Sequence, residues 1–132
     1  MTKKILAFGL LVIIPLSMTA WSMAKVEMNG SYVWTASPGD PGDLRAEFTS
    51  NGEDKWDVSF YFRFNGQNHI YTGTAEGSLK NGGLSGKVHN ERKSRNWTFT
   101  GQVSNGKFEG THTEHYRNGS SKRTGTLALR VK

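Results

Sequence analysis

From residue 25 onward, apolar side chains recur at every second position rather than at helical spacing. The clearest stretch places Trp56, Val58, Phe60, Phe62 and Phe64 on one face and Asp57, Ser59 and Arg63 on the other, the alternation of a half-buried strand with one wet face. No segment after residue 24 sustains a helical period. The alternating segments are separated by Asn-Gly pairs at 29, 51, 65, 81, 105 and 118. Both residues tolerate the positive φ that a two-residue hairpin turn requires, so Asn-Gly between alternating segments predicts a hairpin. Hairpins are expected at 65, 81, 105 and 118, with the pair at 51 in a longer loop and the pair at 29 marking a bulge inside the first strand.

Two of these turns repeat one pattern at an offset of 24 residues: Gly77-x-Leu79-x-Asn81-Gly82-x-Leu84-x-Gly86 and Gly101-x-Val103-x-Asn105-Gly106-x-Phe108-x-Gly110. Folding each about its turn sets Leu79 against Leu84, Gly77 against Gly86, Ala75 against Val88 and Glu76 against Lys87, and Val103 against Phe108 with Gly101 against Gly110. A slip of one residue would turn every apolar side chain outward, which favours these registers. Folding at 118 sets His112 against Gly125 and Glu114 against Arg123, while folding at 105 brings Phe99 beside His112 and Trp97 beside Glu114.

Strands are thus expected over 26–35, 43–50, 55–64, 67–79, 83–90, 95–104, 107–116 and 121–131. Short connections favour sequential, up-and-down pairing. The fold class is all-β, a small antiparallel barrel of about eight strands, in which strand one must pair with strand eight and the interior either fills with side chains or holds one small ligand. Glycines at 30, 73, 77, 86, 101, 110 and 125 fall in phase with the apolar faces, where they permit bending and close approach.

Residues 1–24 follow a different logic. Lys3 and Lys4 precede an apolar run from Ile5 to Leu16, and Ser22 and Ala24 are small residues at the positions a signal peptidase inspects. Cleavage after Ala24 fits better than after Ala20, which would put Met18 at the minus-three position. The run is shorter than the roughly 20 residues of a membrane span. Two parts follow: a signal peptide, 1–24, and a single β-barrel domain, 25–132. The expected destination is periplasmic or secreted. The chain has no cysteine, so neither disulfides nor lipid attachment through an N-terminal cysteine enters the picture.

Charge is uneven. Residues 25–76 hold four Lys/Arg against eight Asp/Glu, and residues 77–132 hold eleven against three, in a chain of net charge +6. Either the halves neutralise each other across the fold, or a basic patch faces an anionic partner.

The order of residues in Gly30-Ser-Tyr32-Val-Trp34, followed by hairpins and by Thr124-Gly125-Thr-Leu-Ala-Leu-Arg130, resembles the calycin barrels, lipocalins and avidins. The resemblance implies a first-strand tryptophan and a last-strand basic residue closing one barrel end. The lipocalin C-terminal helix has no counterpart here, the Gly-x-Trp spacing is stretched, and the biotin-site residues of avidins have no match, so biotin is not implied.

In an up-and-down barrel, connections alternate between two ends. The bottom collects inward residues that are plainly apolar: Phe48, Trp56, Val58, Leu79, Leu84, Val103, Phe108 and Leu129. The top collects a mixed set, and these are the expected ligand-binding residues: Trp34, Phe62, His69, Tyr71, Trp97, His112, Glu114, Tyr116 and Arg123. Few polar groups in an apolar cavity are what a binding site requires, although a structural Glu114–Arg123 pair is the plainer expectation for those two. Arg92, Lys93, Arg95, Arg117 and Lys122 form an expected rim for an anionic partner, against Asp40, Asp43, Glu91 and Glu114. The segment 37–43 is the longest top loop, a lid or ordinary turn chemistry.

Other chemistries find little support. His112 and Glu114 share a strand face, too few ligands for zinc without a distant third. There is no cysteine nucleophile, Gly-x-Ser-x-Gly elbow or phosphate-cradling glycine loop, so no catalytic residue, metal or cofactor is assigned. Nucleic acid is disfavoured because the aromatics face inward rather than forming a stacking platform. A membrane barrel is disfavoured because outward positions are mostly Thr, Ser, Asn, Lys and Glu. The expected function is an exported barrel binding a small amphipathic, anionic ligand; the alternative is an envelope or secreted protein-interaction module, an inhibitor or assembly factor, that uses the basic loops.

Overall fold

A computed structural model describes residues 24–90 and 94–132. The proposed signal peptide, save Ala24, and the rim residues Arg92 and Lys93 lie outside the described residues. Eight antiparallel strands, β1 (Lys25–Trp34), β2 (Ser37–Gly52), β3 (Lys55–Phe64), β4 (Gln67–Gly77), β5 (Gly82–Asn90), β6 (Arg95–Ser104), β7 (Lys107–His115) and β8 (Ser121–Val131), pair in sequence order and close into one barrel. Closure is made by β1 against β8, with Met28 opposite Val131, Tyr32 opposite Leu127 and Trp34 opposite Gly125. Among the described residues there is therefore no long unpaired edge, the hazard that open sheets must manage. Among the described residues no helix is long and apolar enough to cross a membrane.

Turn chemistry explains most of the path. Asn65-Gly66 and Asn105-Gly106 adopt φ of 52° and 74°, and of 51° and 76°, the left-handed pair that matches strand twist in a two-residue hairpin. The second hairpin carries the expected register, with Val103 opposite Phe108 and Gly101 opposite Gly110. A methyl group on Gly101 would meet the Gly110 Cα at 2.5 Å, so the two strands approach as closely as only glycine permits. At the turn, Gly106→Ala is expected to cost about 1–2 kcal/mol through its left-handed backbone. A urea midpoint unchanged from the parent would contradict that.

Several expectations need correction. The β4–β5 register is shifted by two residues: Gly77 faces Leu84, Ala75 faces Gly86, Gly73 faces Val88, Glu76 faces Ser85 and Thr74 faces Lys87. The even shift keeps every apolar side chain inward, which is why alternation could not detect it. Asn81-Gly82 is not a two-residue turn. The connection spans 78–81, and the Ser78 hydroxyl accepts from the backbone N–H of Lys80 and Asn81, both at 3.1 Å. This longer turn drops Leu79 into the bottom of the core, where it is buried.

The segment 37–43 is not a loop or lid but the first part of β2, joined to β1 by a turn at 35–36. Its prolines sit in the far end of a strand whose register slips between Tyr32 and Trp34. That slip, not Asn29-Gly30, is the β1 irregularity; Asn29 and Gly30 pair regularly with β2 and β8. Asn51-Gly52 ends β2 beside a bulge, and the turn is Glu53-Asp54.

The lower barrel is packed solid. Phe48, Phe108, Met28, Leu84, Leu129 and Val58 are its most deeply buried side chains, and Phe48, Phe60, Phe99 and Phe108 form a chain of edge-to-face contacts with centroids 5.2–6.4 Å apart, the geometry aromatic quadrupoles favour. The bottom turns are tied together: the Gly106 N–H donates to the Lys80 carbonyl at 3.0 Å, and the Asn105 N–H to the Asn81 side chain at 2.9 Å.

Candidate functional site

Strand alternation brings aromatic residues from four of the eight strands to the upper interior. Tyr32 and Trp34 come from β1, Phe60 and Phe62 from β3, Tyr71 from β4, and Trp97 and Phe99 from β6. Together with Leu44, Val88, Thr98, His112 and Leu127 they enclose a chamber of about 60 Å³. Above it lies a vestibule of about 140 Å³ lined by Phe64, Asn65, Gln67, His69 and Arg95. Trp34, Phe62 and Tyr71 line both spaces and form the partition between them.

The rings hold one another. Trp34 meets Trp97 at 5.3 Å, His112 at 5.4 Å and the half-exposed Phe64 at 5.9 Å between centroids. His69 stacks on Phe62 at 5.2 Å, roofing the partition. The Tyr32 hydroxyl donates to the Arg63 carbonyl at 2.9 Å, which anchors its ring over Gly42.

His112 is a fastener rather than a free base. Its Nε2 lies 3.3 Å from the Val33 carbonyl on β1, and its Nδ1 lies 2.7 Å from the Thr124 hydroxyl on β8. The carbonyl can only accept, so Nε2 carries the proton and Nδ1 accepts from Thr124. One side chain of β7 thus stitches the seam where β8 meets β1. Burial pushes its pKa down, opposed by the bond to Val33, which favours the charged form. The folded value lies below the unfolded one, so the unfolded chain takes up the proton first as pH falls. His112 should therefore cost stability progressively as pH drops through and below about 6.5, the unperturbed value for histidine, and cost nothing above it. Urea midpoints between pH 5 and 8 should slope less for His112→Gln than for the parent. Equal slopes would remove His112 as the cause.

Burial likewise raises the pKa of Tyr71, against stabilisation of its ionised form by Trp97, Arg95 and Asn90. Two titratable groups on one wall are both driven to their neutral forms by desolvation, which marks the chamber as hostile to charge.

Two polar atoms stand out. The indole N–H groups of Trp34 and Trp97 are buried with no hydrogen-bond acceptor among the described residues. The Tyr71 side chain packs on the Trp97 indole, ring centroids 6.1 Å apart, and the indole N–H favours the ionised form of that tyrosine. Trp56 shows the ordinary outcome lower in the barrel, where its N–H donates to the Gly77 carbonyl at 3.0 Å.

Five of the nine expected ligand residues, Trp34, Phe62, Tyr71, Trp97 and His112, line the chamber, and His69 lines the vestibule. The other three do not. A bulge at Thr124 moves the end of β8 by one residue, so Thr113 faces Arg123 and Glu114 faces Lys122. Arg123 is exposed and makes no ion pair with Glu114. Glu114 instead lies 3.8 Å from Arg95 and 3.5 Å from the Tyr116 hydroxyl, which donates to it. Tyr116 itself is exposed.

The basic rim is correspondingly thinner. Arg117 and Lys122 are exposed at the top, while Arg95, the rim residue that lines the vestibule, has Glu114 beside it. Trp34 and Arg130, which the calycin resemblance would bring to one end, lie apart: Trp34 faces Gly125, and Arg130 faces Asn29. Among the described residues no group of three or more His, Cys, Asp or Glu is placed to hold a metal. Tyr32, Leu44, Phe60, Val88, Thr98, Phe99 and Leu127 complete the chamber and were not expected there. Their strand parity was readable, but their height in a tilted barrel was not.

No family model, no curated protein and no solved structure matches this chain.

Proposed function

We propose that this protein is exported and binds one small amphipathic molecule in the upper half of its barrel. The observation that carries the reading is the contrast between the two halves. The lower interior is filled by close-packed side chains, whereas the upper interior keeps an aromatic chamber, separated by Trp34, Phe62 and Tyr71 from a vestibule with polar walls. An apolar enclosure with a few placed polar groups is the usual form of a small-molecule site.

Size narrows the ligand. Sites for drug-sized molecules run to about 300–1,000 Å³, and a cavity of about 150 Å³ takes one benzene ring. A chamber of about 60 Å³ by itself therefore suits a short chain of few atoms, and anything larger would have to occupy the vestibule of about 140 Å³ as well. A polar end would lie toward the vestibule, near His69, Gln67 and Arg95. The charged-rim expectation contributes less, because Glu114 offsets Arg95 and Arg123 points elsewhere. Export rests on the basic, apolar and small-residue sequence of positions 3–24.

Native mass spectrometry of the protein purified from its source tests the reading. A second, heavier species that collapses to the apo mass on activation is expected. A clean apo mass, together with no saturable spectral change on titration with small amphipathic compounds, would overturn it.

A further inference from the structure

We infer that the chamber is entered from the side, between β2 and β3, and that Tyr32 is the latch on that entrance. The inference goes beyond the ligand-binding reading, because it concerns how water or any small molecule reaches the chamber at all.

The ladder between β2 and β3 stops short of the top. Its uppermost pair is Leu44 with Phe62, yet β3 runs on to Phe64 and β2 begins at Ser37. Among the described residues, Ser37, Gly42 and Asp43 have ladder partners on β1 but none on β3. The β1–β8 seam, by contrast, is paired as far as Trp34 with Gly125 and is stitched by His112 as well.

Tyr32 closes the short gap. It lies opposite Gly42, where any Cβ would fall on its ring. The ring therefore lies across β2, and its hydroxyl donates to the Arg63 carbonyl on β3 at 2.9 Å. One side-chain hydrogen bond joins the two strands where the ladder no longer does. Burial, with Asp40 and Asp43 nearby, raises the pKa of the phenol, which keeps the hydroxyl protonated and able to donate.

Outside this seam runs a groove of about 850 Å³, lined by Gly42, Asp43 and Leu44 of β2 and by Phe62 and Arg63 of β3. Leu44 and Phe62 also line the chamber, so the groove and the chamber share part of one wall. The upward route is more heavily closed. Trp34 packs on Trp97, His112 and Phe64, and His69 stacks on Phe62. Swinging Tyr32 aside breaks one hydrogen bond and its edge contacts with Trp34 and Phe62, and it disturbs no β2–β3 ladder pair. Local openings of a folded protein occur where few such bonds hold the chain. A small amphipathic molecule would thus meet the groove first and pass Tyr32 to reach the chamber.

Hydrogen exchange of the indole N–H groups, followed by nitrogen-15 NMR of the purified protein, reads this opening without any ligand. The Trp34 and Trp97 groups are buried on the chamber wall and exchange when water enters. The Trp56 group, bonded to the Gly77 carbonyl lower in the barrel, reports loosening of the whole. Tyr32→Phe keeps the ring and removes the latch. It should speed exchange at Trp34 and Trp97 about five- to tenfold, the factor of one net hydrogen bond, with Trp56 at its parental rate. Phe64→Ala, which widens the mouth, should leave Trp97 at its parental rate. A second variant closes the seam instead. The chain has no cysteine of its own, so Asp43→Cys with Arg63→Cys can be bridged by a short bismaleimide. Bridging should slow Trp97 exchange at least about fivefold relative to the same protein unbridged.

A Tyr32→Phe variant that exchanges Trp97 at the parental rate would overturn the inference. So would Phe64→Ala speeding Trp97 as much as Tyr32→Phe does. If Tyr32→Phe accelerates Trp56 equally, the bridged variant decides: slower Trp97 exchange supports the side entrance, and an unchanged rate refutes it. The ligand-binding reading stands or falls separately, by native mass spectrometry.

Discussion

Gly125→Val is expected to abolish the closed barrel. Gly125 lies on β8 opposite Trp34 of β1 and opposite His112 of β7. A Cβ at this position would fall on the Val33 carbonyl oxygen and come within 2.6 Å of His112 Nε2. These are the two ends of the hydrogen bond that crosses the seam. The oxygen is backbone and cannot swing aside, so relief requires β1 and β8 to part, and the His112 stitch breaks with them. Small domains carry about 5–15 kcal/mol in total, and a disruption of two ladders at the closure point is of that order. Gly119→Ala provides the contrast. That turn glycine also has positive φ, but open space surrounds its Cβ position, so a loss of about 1–2 kcal/mol is expected. Urea unfolding followed by circular dichroism compares the two; a Gly125→Val midpoint no lower than that of Gly119→Ala would refute the role assigned to the seam.

Val88→Phe should separate binding from folding. Val88 faces Gly73 on one side and Trp97 on the other and lines the chamber. A phenyl ring there would occupy the space offered to a ligand. Because it enters a cavity rather than a packed core, it should be tolerated, and cavity-filling changes commonly add about 0.5–2 kcal/mol. Affinity should fall by at least about a hundredfold, or roughly 2.7 kcal/mol, and the heavier species in native mass spectrometry should disappear. Val88→Leu, a smaller addition, should give an intermediate loss. A folded Val88→Phe variant that retains its ligand at parental occupancy would place the binding site elsewhere.

Much of the fold was legible because alternation and Asn-Gly turns are local signals. The hairpins at 65 and 105, sequential pairing, the dry bottom and the inward set Trp34, Phe62, Tyr71, Trp97 and His112 all follow from period-two patterning and turn chemistry. Errors occurred where a local signal has two solutions. At Asn81-Gly82, a two-residue turn and a four-residue turn both keep Leu79 and Leu84 inward, and Ser78 capping the longer one decided between them. At the end of β8, one bulged residue, Thr124, converted an expected Glu114–Arg123 pair into a Glu114–Lys122 register and left Arg95 as the ion partner of Glu114.

The sequence by itself determined which side chains face inward and roughly where the chain reverses, because strand parity and positive-φ turns are properties of neighbouring residues. Only the tertiary structure decided that β1 closes on β8, that aromatic residues of four strands meet at one height, and that the upper interior stays open while the lower one fills. Those outcomes depend on strand tilt, bulges and registers between segments as far apart in sequence as Met28 and Val131. The unpaired Trp34 and Trp97 donors are of the same kind. A hydrogen-bond deficit exists only once every other group around the indole has been placed.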